Sequence, residues 1–238
     1  MDGVVSNSQQ KVIQLIRIRA PMRYTDAFEL QRVHGAELEA CDEPIAKLMI
    51  LQHNPVFTLG RRTDASHMPI SEDDLVARTG AEVVKTDRAG SVTYHAPGQV
   101  TAYLLLNLQM WNLNLHRHLE MLEECGITAL KKFGADGHRV PGMTGVWCRT
   151  TSNGVEEDKK ICAIGVSARR WVTYHGLSLN VDMDLRPFSE VVACGLAGKG
   201  VTSLAEILGR NVDITDAENA VVAAFAEVYG ANVEIGMV

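Results

Sequence analysis

Hydrophobic and polar positions alternate through VIQLIRIR (12–19), and the run is rich in branched side chains, which predicts a strand. The period then lengthens. In DAFELQRVHGAELEAC, Ala27, Leu30, Val33, Leu38 and Cys41 fall near one face, which predicts an amphipathic helix with Thr25 as its cap. AKLMILQH (46–53) is a short apolar run, the pattern of a strand buried on both faces. A loop follows through Asn54-Pro55 and Gly60-Arg61-Arg62. SEDDLVARTG (71–80) opens on capping and acidic residues and ends on glycine, so a short helix is expected there. AEVVKT (81–86) predicts a strand running into RAGSVTYHAPGQ (88–99), a loop with strand flanks. VTAYLLLNL (100–108) is another strand. LHRHLEMLEECGITALKKFG predicts a helix from about Asn114, with Leu115, Leu119, Leu122, Ala129 and Phe133 in helical period and Gly126 as a weak point. TGVWCRT, a polar turn at SNGVEED, KKICAIGVSARR and WVTYHGLSLNVD read as consecutive strands. VTSLAEILG (201–209) is a short helix. ITDAENAVVAAFAEVYG is a stronger one, in which Thr215 and Glu218 fit a capping box and Gly230 closes the helix. Adjacent strand runs argue against strict βαβ winding. They predict one α/β (α+β) domain over 1–238, with a mixed, largely antiparallel sheet flanked by helices.

Composition narrows the classes of function. The chain has 238 residues, 46% hydrophobic and 22% charged, which suits one large domain, and 5% aromatic content points to an aliphatic core. A net charge of −6 without a basic run argues against a nucleic-acid partner. No apolar run approaches the ~18 to 20 residues of a membrane span. The five cysteines form no C-x-x-C pair, and the first eleven residues are polar and mixed, without a signal segment. Free thiols in a reduced compartment are expected.

Eight histidines contain no H-E-x-x-H or other close ligand set, so no metal site is expected. His116 and His118, two apart in a helix, do not share a face. His95 and His175 differ from the rest, because each closes a T-Y-H-small motif, TYHAPG and TYHGLS. They either line one cleft or are hydrogen-bonded histidines at two strand ends. The glycines of RAGSVTYHAPGQ allow a backbone to wrap an elongated small ligand, and the segment is neither a Walker loop nor a dinucleotide fingerprint. Lys160 stands directly before an apolar strand, where partial desolvation would make it a base; the plain alternative is a solvated lysine. Arg61-Arg62 and Arg169-Arg170 either recruit an acidic partner or are ordinary surface charge. Cys194, in VVACGLAGKG, is either a nucleophile in a permissive loop or a small buried residue. A thiol of pKa about 8.5 is mostly protonated at neutral pH, and a nearby lysine can stabilise the thiolate or take its proton. Glycines around it would leave backbone N–H groups free for an oxyanion.

Read in order, LQHNPVFTLG, RAGSVTYHAPGQVTAYLLLNL, TGVWC, KKICAIGVSARRWVTYHGLSLNVDMDLRPF and VVACGLAGKGVTSL resemble the octanoyltransferases of lipoate biosynthesis over most of residues 46 to 205. The resemblance implies the fold of lipoate and biotin protein ligase catalytic domains, with one substrate tunnel. It implies transfer of an octanoyl group from octanoyl-acyl carrier protein to a lysine on the lipoyl domain of a 2-oxoacid dehydrogenase or on the glycine cleavage H protein. It implies no ATP, metal or other cofactor. The compartment would be the cytoplasm in a bacterium and the mitochondrial or plastid matrix in a eukaryote.

By the same resemblance, Cys194 holds the position of the acyl-thioester cysteine and Lys160 that of the lysine that lowers its pKa. Arg88, Ala89, Gly90, Ser91, Val92, Thr93, Tyr94 and His95 match the first substrate-binding segment. Ala163, Ile164 and Gly165 match the second, and Gly176, Leu177 and Ser178 the third. Three positions depart from the family pattern. Ala89 and Ala96 stand where glycine is usual, and Ala193 where proline is usual. Each replaced glycine adds a methyl near the expected ligand path, and alanine is strained if the position needs φ > 0. Two rivals stay open: an ATP-dependent lipoate or biotin ligase on the same fold, and a catalytically silent binding domain.

Overall fold

The computed structural model describes residues 10–152, 154–192 and 199–236. The chain begins with strand β1 (Val12–Arg17), helix α1 (Tyr24–Glu39), β2 (Ile45–Leu51), β3 (Val56–Leu59), α2 (Glu72–Thr79), β4 (Glu82–Lys85), β5 (Val92–His95) and β6 (Gln99–Leu106). It continues with α3 (Leu115–Lys131), β7 (Gly137–Val140), β8 (Met143–Ser152), β9 (Val155–Arg169), β10 (Val172–Asn180), α4 (Leu204–Leu208), α5 (Ile214–Tyr229) and β11 (Asn232–Ile235). Eight strands form one sheet in the order β11-β1-β2-β6-β10-β9-β8-β7, and β4-β3-β5 form a second. In the large sheet β11, β1 and β2 run parallel and the remaining neighbours antiparallel. The expected mixed, largely antiparallel sheet is present. The second sheet was not foreseen, because β3 lies where the Pro55-to-Gly60 stretch reads as a loop.

Alternation sends successive side chains to two cores. Ala46, Leu48 and Ile50 of β2, with Val100, Ala102 and Leu104 of β6, pack under α3 and α5. Met49 and Leu51, with Tyr103 and Leu105, pack under α1 on the opposite face. The small sheet has its own cluster, which Phe57, Leu75, Tyr94 and Phe188 share.

Helix ends correct two expectations. Thr25 lies inside α1, whose N-cap is Arg23 without a side-chain cap. Helix α5 is capped by Asp213, whose carboxylate accepts from the backbone N–H of Thr215 at 2.7 Å and Asp216 at 3.3 Å. Glu218 does not complete a capping box because Arg17 of β1 holds it in a 2.8 Å ion pair. Two interior positions also differ. Val33 of α1 is 49% exposed, while Gln31 and His34 are buried beneath the helix. Gly126 is a close-approach site: a Cβ there would come within 2.8 Å of the Val146 side chain. Among the described residues, no helix is long and apolar enough to cross a membrane.

Candidate active site

A cavity of about 460 Å³ lies between β5 of the small sheet and β9 and β10 of the large one. Ser91, just before β5, and Thr93 and His95 on it alternate toward the cavity, and Val92 also borders it. Tyr94 and Ala96 take the opposite parity and enter the small-sheet core, where Tyr94 packs on Phe57 at 4.8 Å and Phe188 at 5.6 Å. Arg88 and Gly90 reach the cavity from the preceding loop, and Ala163, Ile164, Gly165, Gly176, Leu177 and Ser178 from the large sheet. The three segments singled out in the sequence therefore converge, except for Ala89 and Tyr94, which do not line the cavity. His95 and His175 do share one cleft.

A pair of facing glycines makes this convergence possible. Gly165 and Gly176 are cross-strand partners. A Cβ on Gly165 would come within 2.9 Å of the Ala89 carbonyl, so the bare backbone lets the Arg88–Gly90 loop lie on the sheet. Ala89 N–H then donates to Val166 O at 3.0 Å. Arg88 is buried and holds the loop to β3, its guanidinium donating to Thr58 Oγ1 at 2.8 Å and 3.1 Å and to Thr58 O at 2.5 Å. Neither Ala89 nor Ala96 adopts positive φ, so neither alanine is strained.

Lys160 stands at one end of the cavity and is 6% exposed. Its Nζ donates to Thr144 O at 2.9 Å and lies 4.7 Å from the centre of the Trp147 ring. Gly145, at φ +123°, leaves room for it: a Cβ there would sit 3.2 Å from Lys160 Cε and 2.7 Å from Cys162 O. At this point β8 separates from β9, the last rung being Val146 with Cys162. Residues 163–165 therefore have a ladder partner on the β10 side only, and their other edge faces the cavity.

Cys194 lies outside the described residues, as does Ala193. The chain on either side is fixed to the cavity lining. Val192 N–H donates to His67 O at 3.0 Å. Lys160 N–H donates to Gly200 O at 3.0 Å, and Thr202 N–H returns to Lys160 O at 3.0 Å. His67 and Lys160 both line the cavity. Burial pushes the Cys148 thiol up to about 11 and the Cys162 thiol up to about 12, and it raises Cys125 well above the thiol range. None of these thiols lines the cavity.

The other end is a cluster of imidazoles and phenols that the sequence reading only half saw. Alternation would turn His175 to the α3/α5 face with its partner Val166. Its φ of +64° turns it instead toward α1, where Phe28 stacks on it at 5.3 Å. There His175 Nε2–H donates to Asp87 Oδ1 at 2.8 Å, so Nδ1 is left to accept from Tyr24 OH at 3.2 Å. Gln31 Oε1 accepts from its backbone N–H at 2.7 Å. His53 donates through Nδ1 to Met22 O and accepts at Nε2 from Tyr103 OH at 2.7 Å. His95 donates through Nδ1 to Gln99 Oε1 at 2.7 Å. Burial lowers His53 to about 4 and His95 well below the histidine range. Burial also lowers His175, against the opposing pull of Asp87, and raises Tyr24 to about 12. The imidazoles and phenols are thus neutral at physiological pH, while the hydrogen bond from His175 keeps the Asp87 carboxyl below its usual range and ionised. Tyr24, Tyr103, His53 and Asp87 carried no pattern in the sequence; only the position of Asp87 beside Arg88 pointed to it.

The lipoyl protein ligase A/B catalytic-domain family matches residues 23–226. Curated octanoyltransferases are similar over most of the chain. That of Chloroflexus aurantiacus is 42% identical over 87% of this chain and 89% of its own, and that of Geobacter sulfurreducens 40% identical over 87% and 81%. Among solved structures, a bi-partite lipoate protein ligase from Thermoplasma acidophilum superposes with a TM-score of 0.70 at 14% identity, over 97% of this chain and 87% of that one. A lipoate-protein ligase A bound with ATP gives 0.69 at 14% identity, over 97% and 90%.

Proposed function

This chain belongs to the lipoyl protein ligase A/B catalytic-domain family and to its octanoyltransferases, and from there we propose that it transfers octanoyl through a thioester on Cys194. The donor is octanoyl-acyl carrier protein. The acceptors are lysines on lipoyl domains of 2-oxoacid dehydrogenases and on the glycine cleavage H protein.

The observation that carries the reading is the pair of anchors on either side of Cys194. Val192 is tied to His67 through its backbone N–H. Gly200 is tied to Lys160 itself. Both anchors join the cavity lining, which supports a mechanism in which Cys194 works with the Lys160 ammonium. The Cys194 thiolate, stabilised by that charge, attacks the thioester carbonyl. A new S–C bond forms, the oxyanion is met by backbone N–H groups at the unladdered edge of residues 163–165, and the carrier thiolate leaves and takes up a proton. The acceptor amine then attacks the enzyme thioester, and its proton goes to Lys160, which has given its own to the departing carrier thiolate. An amide forms, and the Cys194 thiolate is released. Burial of about six methylenes against Ile164, Leu177 and the neighbouring walls contributes roughly 5 kcal/mol to binding. One methylene more or less discriminates by only about 1–3 kcal/mol, so octanoyl preference is real but leaky.

The test is intact-protein mass spectrometry after incubation with octanoyl-acyl carrier protein. Wild type gains a hydroxylamine-labile octanoyl mass, and Cys194→Ser does not. An adduct that survives in Cys194→Ser, or transfer that requires ATP, overturns the assignment.

A further inference from the structure

We propose that Arg61 and Arg62 form a binding site for the phosphate of the phosphopantetheine arm that carries the acyl thioester. The inference rests on the thioester-donor reading above. It starts from a charge anomaly. The chain is acidic overall, with a net charge of −6, and most of its exposed arginines are ion-paired; Arg78, Arg139 and Arg186 each hold a carboxylate. Arg61 and Arg62 are exposed and hold no carboxylate among the described residues. Arg62 lines the same cavity as Thr144 of β8, whose carbonyl is the partner of Lys160.

Their backbone is held firmly. Arg61 N–H donates to Arg88 O at 3.1 Å and Arg62 N–H to Gly90 O at 3.0 Å. Gly60 lies so close to the same loop that a Cβ on it would meet Gly90 O at 2.5 Å. The loop continues to His67, whose carbonyl anchors Val192. One short segment thus joins the cavity wall, the two unpaired cations and the flank of the reactive cysteine.

Chemistry names the ligand. A thioester donor brings its acyl chain into the cavity and its sulfur to the Lys160 end. Between that sulfur and the phosphate stands an arm of two amide units, comparable to about four extended residues, roughly 13 Å. The phosphate therefore stays outside the cavity, at its lip, when the carbonyl reaches the thiol. A guanidinium pair there matches a phosphate dianion or diester by forked hydrogen bonds and draws it toward a protein of like net sign. Carrier protein and coenzyme A present the same phosphate.

Donor selectivity tests this. The ratio of kcat/KM for a phosphate-bearing donor to that for octanoyl-pantetheine, which has no phosphate, is measured for wild type and for Arg61→Gln/Arg62→Gln. Octanoyl-acyl carrier protein and octanoyl-coenzyme A serve as the two phosphate-bearing donors. The double variant is expected to lose at least tenfold in this ratio with both, through KM, and Arg61→Lys/Arg62→Lys to recover part of it. A loss with the carrier protein alone means that the pair reads the carrier's surface, and it overturns the phosphate assignment. An equal fall for all three donors, or no fall, also overturns it. If wild type uses none of the three thioesters, the donor reading itself fails, and the phosphate site with it.

Discussion

Ala96 stands where the family usually has glycine, yet its methyl points away from the cavity, into the cluster around Phe57, and it is 6% exposed. Its φ is not positive, so the side chain is unstrained. Ala96→Gly is therefore expected to lower stability by about 1 kcal/mol, through unfolded-chain entropy and lost packing, without changing the acyl-chain preference. Urea unfolding and a competition between hexanoyl, octanoyl and decanoyl donors check both halves; a shift of preference toward longer chains would contradict the geometry. His175 is the opposite case. Its left-handed backbone is a cost the fold sustains, and that cost is what brings the imidazole to Tyr24 and Asp87. T-Y-H-small singled out His175 and His95 as a pair, but nothing in the motif distinguishes the strained histidine from the relaxed one.

At the scale of elements, periodicity located the helices and the long strands, because each carries enough apolar positions to define a face. The four-residue strands β3, β7 and β11 were not legible. GHRV and NVEI are too short and too polar to show a period, and their extended form comes from their neighbours in the sheet. The caps at Ser71, Gly80, Asn114 and Gly230 were legible, and those assigned to Thr25 and Thr215 were wrong in place. Asp213, Thr215 and Glu218 all suit the start of α5, and the choice between them was made by Arg17, some 200 residues away in sequence. Asp213→Ala is expected to cost about 1 kcal/mol, while Thr215→Ala costs little. Chemical denaturation of the two variants separates them, and equal losses would restore the capping box. The site was legible as segments, since the 88–95 stretch and both sheet segments converge on one cavity. The His–Tyr wall was not, because α1 and β6 bring it together from positions that look like ordinary core.

Taken as a whole, the molecule buries several histidines in their neutral form. Unfolded histidine titrates near 6.5, and burial lowers both His53 and His118 to about 4. Between those values the unfolded chain takes up protons that the folded chain refuses, so stability falls as pH drops, by on the order of 3 kcal/mol for each group over the full interval. His95 and His175 are lowered as well and act in the same direction. Urea midpoints should therefore fall steeply from about pH 7.5 to about pH 4.5, and His118→Gln, remote from the cavity, should flatten the slope. A pH-independent midpoint would contradict the burial. The sheet edge has a consequence of another kind. Strand β1 lies between β2 and β11, with Val12 paired to Asn232 and Ile13 to Val233. During synthesis at about 5–20 residues per second, the first strand waits on the order of 10–45 s for its last neighbour to leave the ribosome. Through that interval one side of β1 offers free N–H and C=O groups to any passing chain. The nascent chain is thus open to mispairing along β1 until β11 emerges, and that strand works as a seal.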